Sequence, residues 1–165
     1  MSVALDIRPQ TDQPATGIDG QAQVAQDLRA CLADTYVLMA KTQAYHWNVV
    51  GPLFHSVHEL TEEQYDNLFE AVDELAERVR ALGHLAPTSL QEMLNGTVLR
   101  EDGGCPSTRD MLSNLVRDHE ITARRFRDSV LHAEEAKDVV TADLLTERLA
   151  FHEKAIWMLR AILLD

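Results

Sequence analysis

The sequence predicts an all-α fold, a four-helix bundle made of two hairpins joined by one long crossover that carries a short helix. Three observations predict it. Apolar residues recur at steps of three and four in four long stretches, the spacing of one helix face. No segment sustains the alternation of a strand. The middle connection is far longer than the other two, at 23 residues over 84–106, and such a length suits a chain running the length of a bundle.

Residues 1–19 hold Pro9, Pro14 and Gly17 and few large apolar groups. They read as a flexible arm ahead of a single domain over 20–165. In the first helix Val24, Leu28, Cys31, Thr35, Leu38, Thr42 and Tyr45 form the core stripe, and Gly51-Pro52 ends it. Ser56 and Glu59 have capping-box spacing at the start of the second. Leu68, Val72, Leu75, Val79 and Leu82 form its stripe, and Gly83 is its stop signal. Residues 88–94 could form a short helix within the crossover. Ser107 is the candidate cap of the third long helix, with Leu112, Leu115, His119, Thr122 and Phe126 inward. The fourth carries Leu145, Leu149, His152, Ile156, Leu159 and Leu163. Tight joints make antiparallel neighbours, and two hairpins with one long crossover describe a ferritin-like bundle.

Composition limits the function. The net charge is −12 and only Lys41, Lys137 and Lys154 are lysines, whereas a nucleic-acid binder shows a basic footprint. An acidic surface draws cations, though it also serves solubility alone. No apolar run has membrane-spanning length, no signal-peptide pattern opens the chain, and a cytoplasmic location is expected. Cys31 and Cys105 lack metal-site or disulfide spacing.

The chemistry concentrates in His46, His58, Glu62, Asp73 and Glu77. Imidazoles with carboxylates suit borderline divalent metals. On a straight helix all but His46 share one broad face, yet 58 and 73 lie about 22 Å apart at ~1.5 Å per residue. A symmetric dimer resolves this. The pairs 58/77 and 62/73 have the same midpoint, 67.5. Two antiparallel copies of the helix would set His58 against Glu77, and Glu62 against Asp73, of the partner. That gives two identical sites, each with His46, His58 and Glu62 from one subunit and Asp73 and Glu77 from the other. A solvated acidic helix face accounts for the same carboxylates, and from geometry alone both readings stand. None of the seven histidines has Glu three residues before it, so a di-iron site inside the bundle is not expected. No HExxH, P-loop or nucleophile-elbow motif occurs.

The run Gln43-Ala44-Tyr45-His46-Trp47-Asn48-Val49-Val50-Gly51-Pro52-Leu53-Phe54, then His58-Glu59-Leu60, then the segment from Asp73 to Gly83, resembles the signature of the Dps family, and the tail from His152 to Ala161 is similar as well. The resemblance covers residues 21–164. It implies a ferritin-like fold, a hollow homo-dodecamer, and iron (Fe2+/Fe3+) oxidised at ferroxidase sites on dimer interfaces, with hydrogen peroxide preferred. The family's ligands map onto His46, His58, Asp73 and Glu77. Trp47 matches a tryptophan beside the site that can supply electrons to trapped oxidants, and packing explains it equally well. Glu62 stands where the family commonly has Asp, and His55 is an additional imidazole. Glu134, Asp138 and Asp143 are candidate linings of the family's three-fold pores, although acids near a helix start also suit its dipole.

DNA binding in this family often uses a basic arm. Residues 1–28 have one basic side chain, Arg8, and the chain ends at Asp165 without a basic tail. Weak or absent DNA binding is expected, with DNA protected by removal of iron and peroxide. The alternative is a nucleoid-binding Dps that compacts DNA. A phosphotransfer bundle would need an exposed His119 or His152, and both fall on apolar stripes.

Overall fold

The computed structural model describes residues 14–164. Its elements are α1 (Gln21–Asn48), α2 (Phe54–Ala81), α3 (Leu90–Gly96), α4 (Thr108–Glu135) and α5 (Val139–Leu163), with no strand among the described residues. The arm assignment for residues 1–13 lies outside them. Residues 14–19 run against the bundle end, where the Asp19 N–H donates to the Ala136 carbonyl at 2.9 Å.

α1 packs along α2 and α4 along α5, the hairpins meeting mainly through α1 and α4. Buried Leu, Val and Tyr side chains form one apolar cluster around Leu38, Leu68, Leu112 and Leu159, and a second around Leu28, Leu75, Val79 and Phe126. Polar side chains are buried as well. The fully buried His119 and His152 bring their Nδ1 atoms within 2.9 Å of each other. Phe126 packs edge-on to His152, and the Arg148 guanidinium stacks on Phe151. Burial pushes His119 down to about 3, with the Arg148 charge adding to it, and holds His152 well below the ordinary histidine range for the same first reason. Neither is an exposed phosphotransfer histidine.

Local signals explain most boundaries. Gly83, at φ 80°, closes α2. Its N–H donates to Arg80 O and the His84 N–H to Val79 O, the paired bonds of a Schellman stop. Ser107 caps α4 by accepting from the Asp110 N–H at 3.2 Å. The predicted capping box of α2 does not form. The helix begins earlier, at Phe54, with Leu53 at the cap position and no side-chain cap. Ser56 and Glu59 therefore lie inside the first turns. The crossover helix starts two residues later than the pattern suggested, because Ser89 supplies the cap, accepting from the Glu92 N–H at 3.2 Å.

Buried charges pin the crossover to the bundle. The Lys41 ammonium lies 2.6 Å from Asp118 and 3.0 Å from Asp102. Asp34 accepts from the Thr97 hydroxyl at 2.7 Å and the Val98 N–H at 2.9 Å, with Arg125 at 3.1 Å. The pore assignment of Asp138 is corrected here. Its carboxylate is buried at the N-cap of α5, accepting from the Thr141 N–H at 3.0 Å and from Arg78 at 2.6 Å. These donors hold it below the usual carboxylate range despite its burial. A carboxylate committed to a cap and an ion pair cannot line a channel. Glu134 and Asp143 are exposed.

Candidate metal centre

The tight α1–α2 connection places two imidazoles together. His46 sits in the last turn of α1 and His58 in the second turn of α2. The His46 Nδ1–H donates to the His58 carbonyl at 2.8 Å, and the His58 Nδ1–H donates to the His46 carbonyl at 2.9 Å. A carbonyl only accepts, so each ring donates from Nδ1, and in the neutral imidazole that tautomer leaves the Nε2 lone pair for a metal. A backbone bond on one nitrogen is the usual way to orient a metal-binding histidine. The rings stack with centroids 3.7 Å apart and planes 19° apart. Phe54 continues the stack beyond His58 at 5.0 Å, and Tyr65 meets His46 edge-on at 5.2 Å.

The structure brings His46 and His58 together, with Glu62 one turn from His58, and leaves Asp73 and Glu77 farther along α2. Glu62, Asp73 and Glu77 are exposed along α2. Asp73 begins about 22 Å along the helix from His58, at ~1.5 Å per residue. Among the described residues of one chain, no three His, Cys, Asp or Glu side chains gather closely enough to hold an ion. Trp47, beside His46, is 66% exposed. On α2, Phe54 is 45% exposed and Phe69, next to the predicted two-fold position, is 66% exposed. His55 lies on the surface, 3.4 Å from Glu59, outside the stacked pair.

The motifs gave no site role to Phe54, the last residue of the family-like run, or to Tyr65. Their signal was present in the spacing, since Phe54 is four residues before His58 and Tyr65 seven after it. Both spacings fall on the His58 face of the helix.

Two antiparallel hairpins, a long crossover and an oriented pair of imidazoles define a ferritin-like protein, and residues 25–165 match the family model of the Ferritin-like domain. The chain is 46% identical over 134 residues to a low temperature-induced protein of Nostoc, covering 80% of this chain and 75% of that one. It is 34% identical to the DNA protection during starvation protein of Helicobacter pylori, covering 81% of this chain and 94% of the relative. The crystal structure of a Dps protein from Bacillus brevis superposes with a TM-score of 0.84 at 36% identity, covering 87% of this chain and 96% of that one. The chain belongs to the Dps family.

Proposed function

We propose that this protein is an iron-storing and iron-detoxifying mini-ferritin. It oxidises Fe(II), preferably with hydrogen peroxide, at sites shared between two subunits of a hollow homo-oligomer, a dodecamer, and keeps the ferric oxide inside. The observation that carries this reading is the reciprocal bonding of His46 and His58, which spends both Nδ1 protons on backbone carbonyls and leaves both Nε2 atoms free.

The stacking favours two ions over one. Metal–imidazole bonds of about 2.1 Å lie near the ring plane. Rings whose centroids are 3.7 Å apart and whose planes are tilted by only 19° do not bring both planes to one ion at that distance. Each imidazole therefore serves its own Fe(II). Glu62, one turn from His58, supplies a carboxylate beside the second ion, and Asp73 and Glu77 of the partner subunit complete the set. The exposed Trp47, Phe54 and Phe69 support the pairing, since large aromatics left in water favour burial against a second copy.

Two Fe(II) give one electron each to one hydrogen peroxide, whose O–O bond breaks. With two waters the products are two FeO(OH) and four protons. Delivering both electrons together yields water-level oxygen and avoids the hydroxyl radical that a single electron would release. Carboxylates favour the ferric state, and the acidic surface draws Fe(II) inward. A net charge of −12 opposes phosphate contacts. DNA is thus protected in the cytoplasm by removal of the reactants, with little direct binding.

The test adds Fe(II) and then hydrogen peroxide to purified protein without oxygen, following ferric absorbance and particle size. Rapid oxidation with a soluble core in a shell-sized particle is expected. Asp73→Ala plus Glu77→Ala should slow oxidation at least 100-fold, and an unchanged rate would sink the assignment.

A further inference from the structure

We infer that Phe54 is a positioning residue that holds the His58 imidazole in place for its ion, and that the first turn of α2 serves to put it there. The inference rests on the two-ion reading above and deepens it. The two imidazoles are held unequally, since His46 is buried and His58 only partly so. The Nδ1–H bond to the His46 carbonyl fixes one ring atom of His58 and leaves the ring able to swing about it. Contact on both faces stops the swing. His46 stacks on His58 with centroids 3.7 Å apart and planes 19° apart. Phe54 stacks on it as well, with centroids 5.0 Å apart and planes 26° apart. Two near-parallel rings at these distances would collide on one face of an imidazole. Phe54 therefore takes the face that His46 leaves.

This contact gives a reason for the early start of α2, which opens at Phe54 without a side-chain cap. A capping box at Ser56 would leave Phe54 outside the helix. The earlier start sets Phe54 four residues before His58, on the same face. Nearly half of Phe54 stays in water, at 45% exposed, so core packing does not account for its place. An imidazole free to swing loses that freedom when it binds a metal. A ring already held loses less, and the difference appears as affinity. Ordering one side chain in this way changes binding by about 2- to 10-fold.

The experiment is an anaerobic calorimetric titration of the assembled protein with Fe(II) alone. The wild type should bind two equivalents per subunit, and His58→Ala identifies the one that depends on His58. Phe54→Leu keeps an apolar side chain at the helix start and loses the flat face. It should weaken that equivalent about fivefold and leave the other unchanged. Phe54→Tyr keeps the ring and should bind as the wild type does. With His58→Ala already in place, Phe54→Leu should weaken binding no further, a result that general loosening of the fold would not give. Wild-type affinity in Phe54→Leu, equal weakening of both equivalents, weakened binding by Phe54→Tyr, or a single equivalent in the wild type would overturn the inference. Asp73→Ala plus Glu77→Ala separates the two failures. Binding that survives this change defeats the shared site and the inference with it. Binding abolished by it, with Phe54→Leu unaffected, defeats only the role of Phe54.

Discussion

Lys41 and Asp118 are both buried, 2.6 Å apart, with Asp102 of the crossover on the far side of the ammonium. Arg117 also reaches Asp118 at 3.0 Å, but from a half-exposed position. Removing Lys41 would leave a carboxylate in the interior with that single partner. Losing one member of a buried pair typically costs about 3–5 kcal/mol. Lys41→Met should therefore destabilise the protein by about 3 kcal/mol, read from denaturation midpoints at equal subunit concentration, because oligomer stability depends on it. A loss under about 1 kcal/mol would show that the charges are solvated in practice. Lys41 was legible only as a residue next to the core stripe at Thr42. Its partners come from two distant segments, and no local spacing announces them. Asp138 shows the reverse error, since an acid at a helix start reads the same whether it faces a channel or caps its own helix.

At the level of the elements, the predicted boundaries held where one residue determines the backbone. Gly83 stops α2 through its positive φ, and Ser107 starts α4 through its side chain. The start of α2 failed because backbone alone closes it, with the Phe54 N–H on the Gly51 carbonyl at 3.0 Å. The histidine pair was legible as two residues flanking a tight joint, but its reciprocal bonding was not, since that depends on how the joint closes. The His119–His152 contact between α4 and α5 leads to a pH prediction. Both rings are held neutral by burial, His119 down to about 3. The unfolded chain takes up protons on these residues near pH 6.5, whereas the folded one resists. Stability therefore rises with pH across this window and falls as the pH drops below about 6.5, by ~1.4 kcal/mol per unit for each histidine. Asp102 and Asp138, held below the usual carboxylate range, add to the loss only near pH 4 and under. Between pH 6.5 and 4.5, His119→Leu plus His152→Leu should flatten the dependence of the denaturation midpoint on pH. An unchanged slope would place the proton uptake elsewhere.

At the scale of the whole molecule, one chain carries both halves of the proposed site at opposite ends of α2. The imidazoles lie at its start and the acceptor carboxylates about 22 Å away, at ~1.5 Å per residue. A symmetric pair then joins unlike halves twice. Subunit mixing reads this arrangement directly. His46→Ala plus His58→Ala destroys one half, and Asp73→Ala plus Glu77→Ala destroys the other. Each variant alone should be inactive. If the two are unfolded, mixed in equal amounts and refolded, half of the dimers contain one subunit of each kind. Within such a dimer, one site collects all four altered residues and the other collects none. About a quarter of all sites should then be intact, and ferroxidase activity should return to about that fraction of the wild-type value. A centre built within one subunit would be broken in both chains, and mixing would restore nothing. Activity near a quarter therefore requires His46 and His58 from one subunit and Asp73 and Glu77 from its partner.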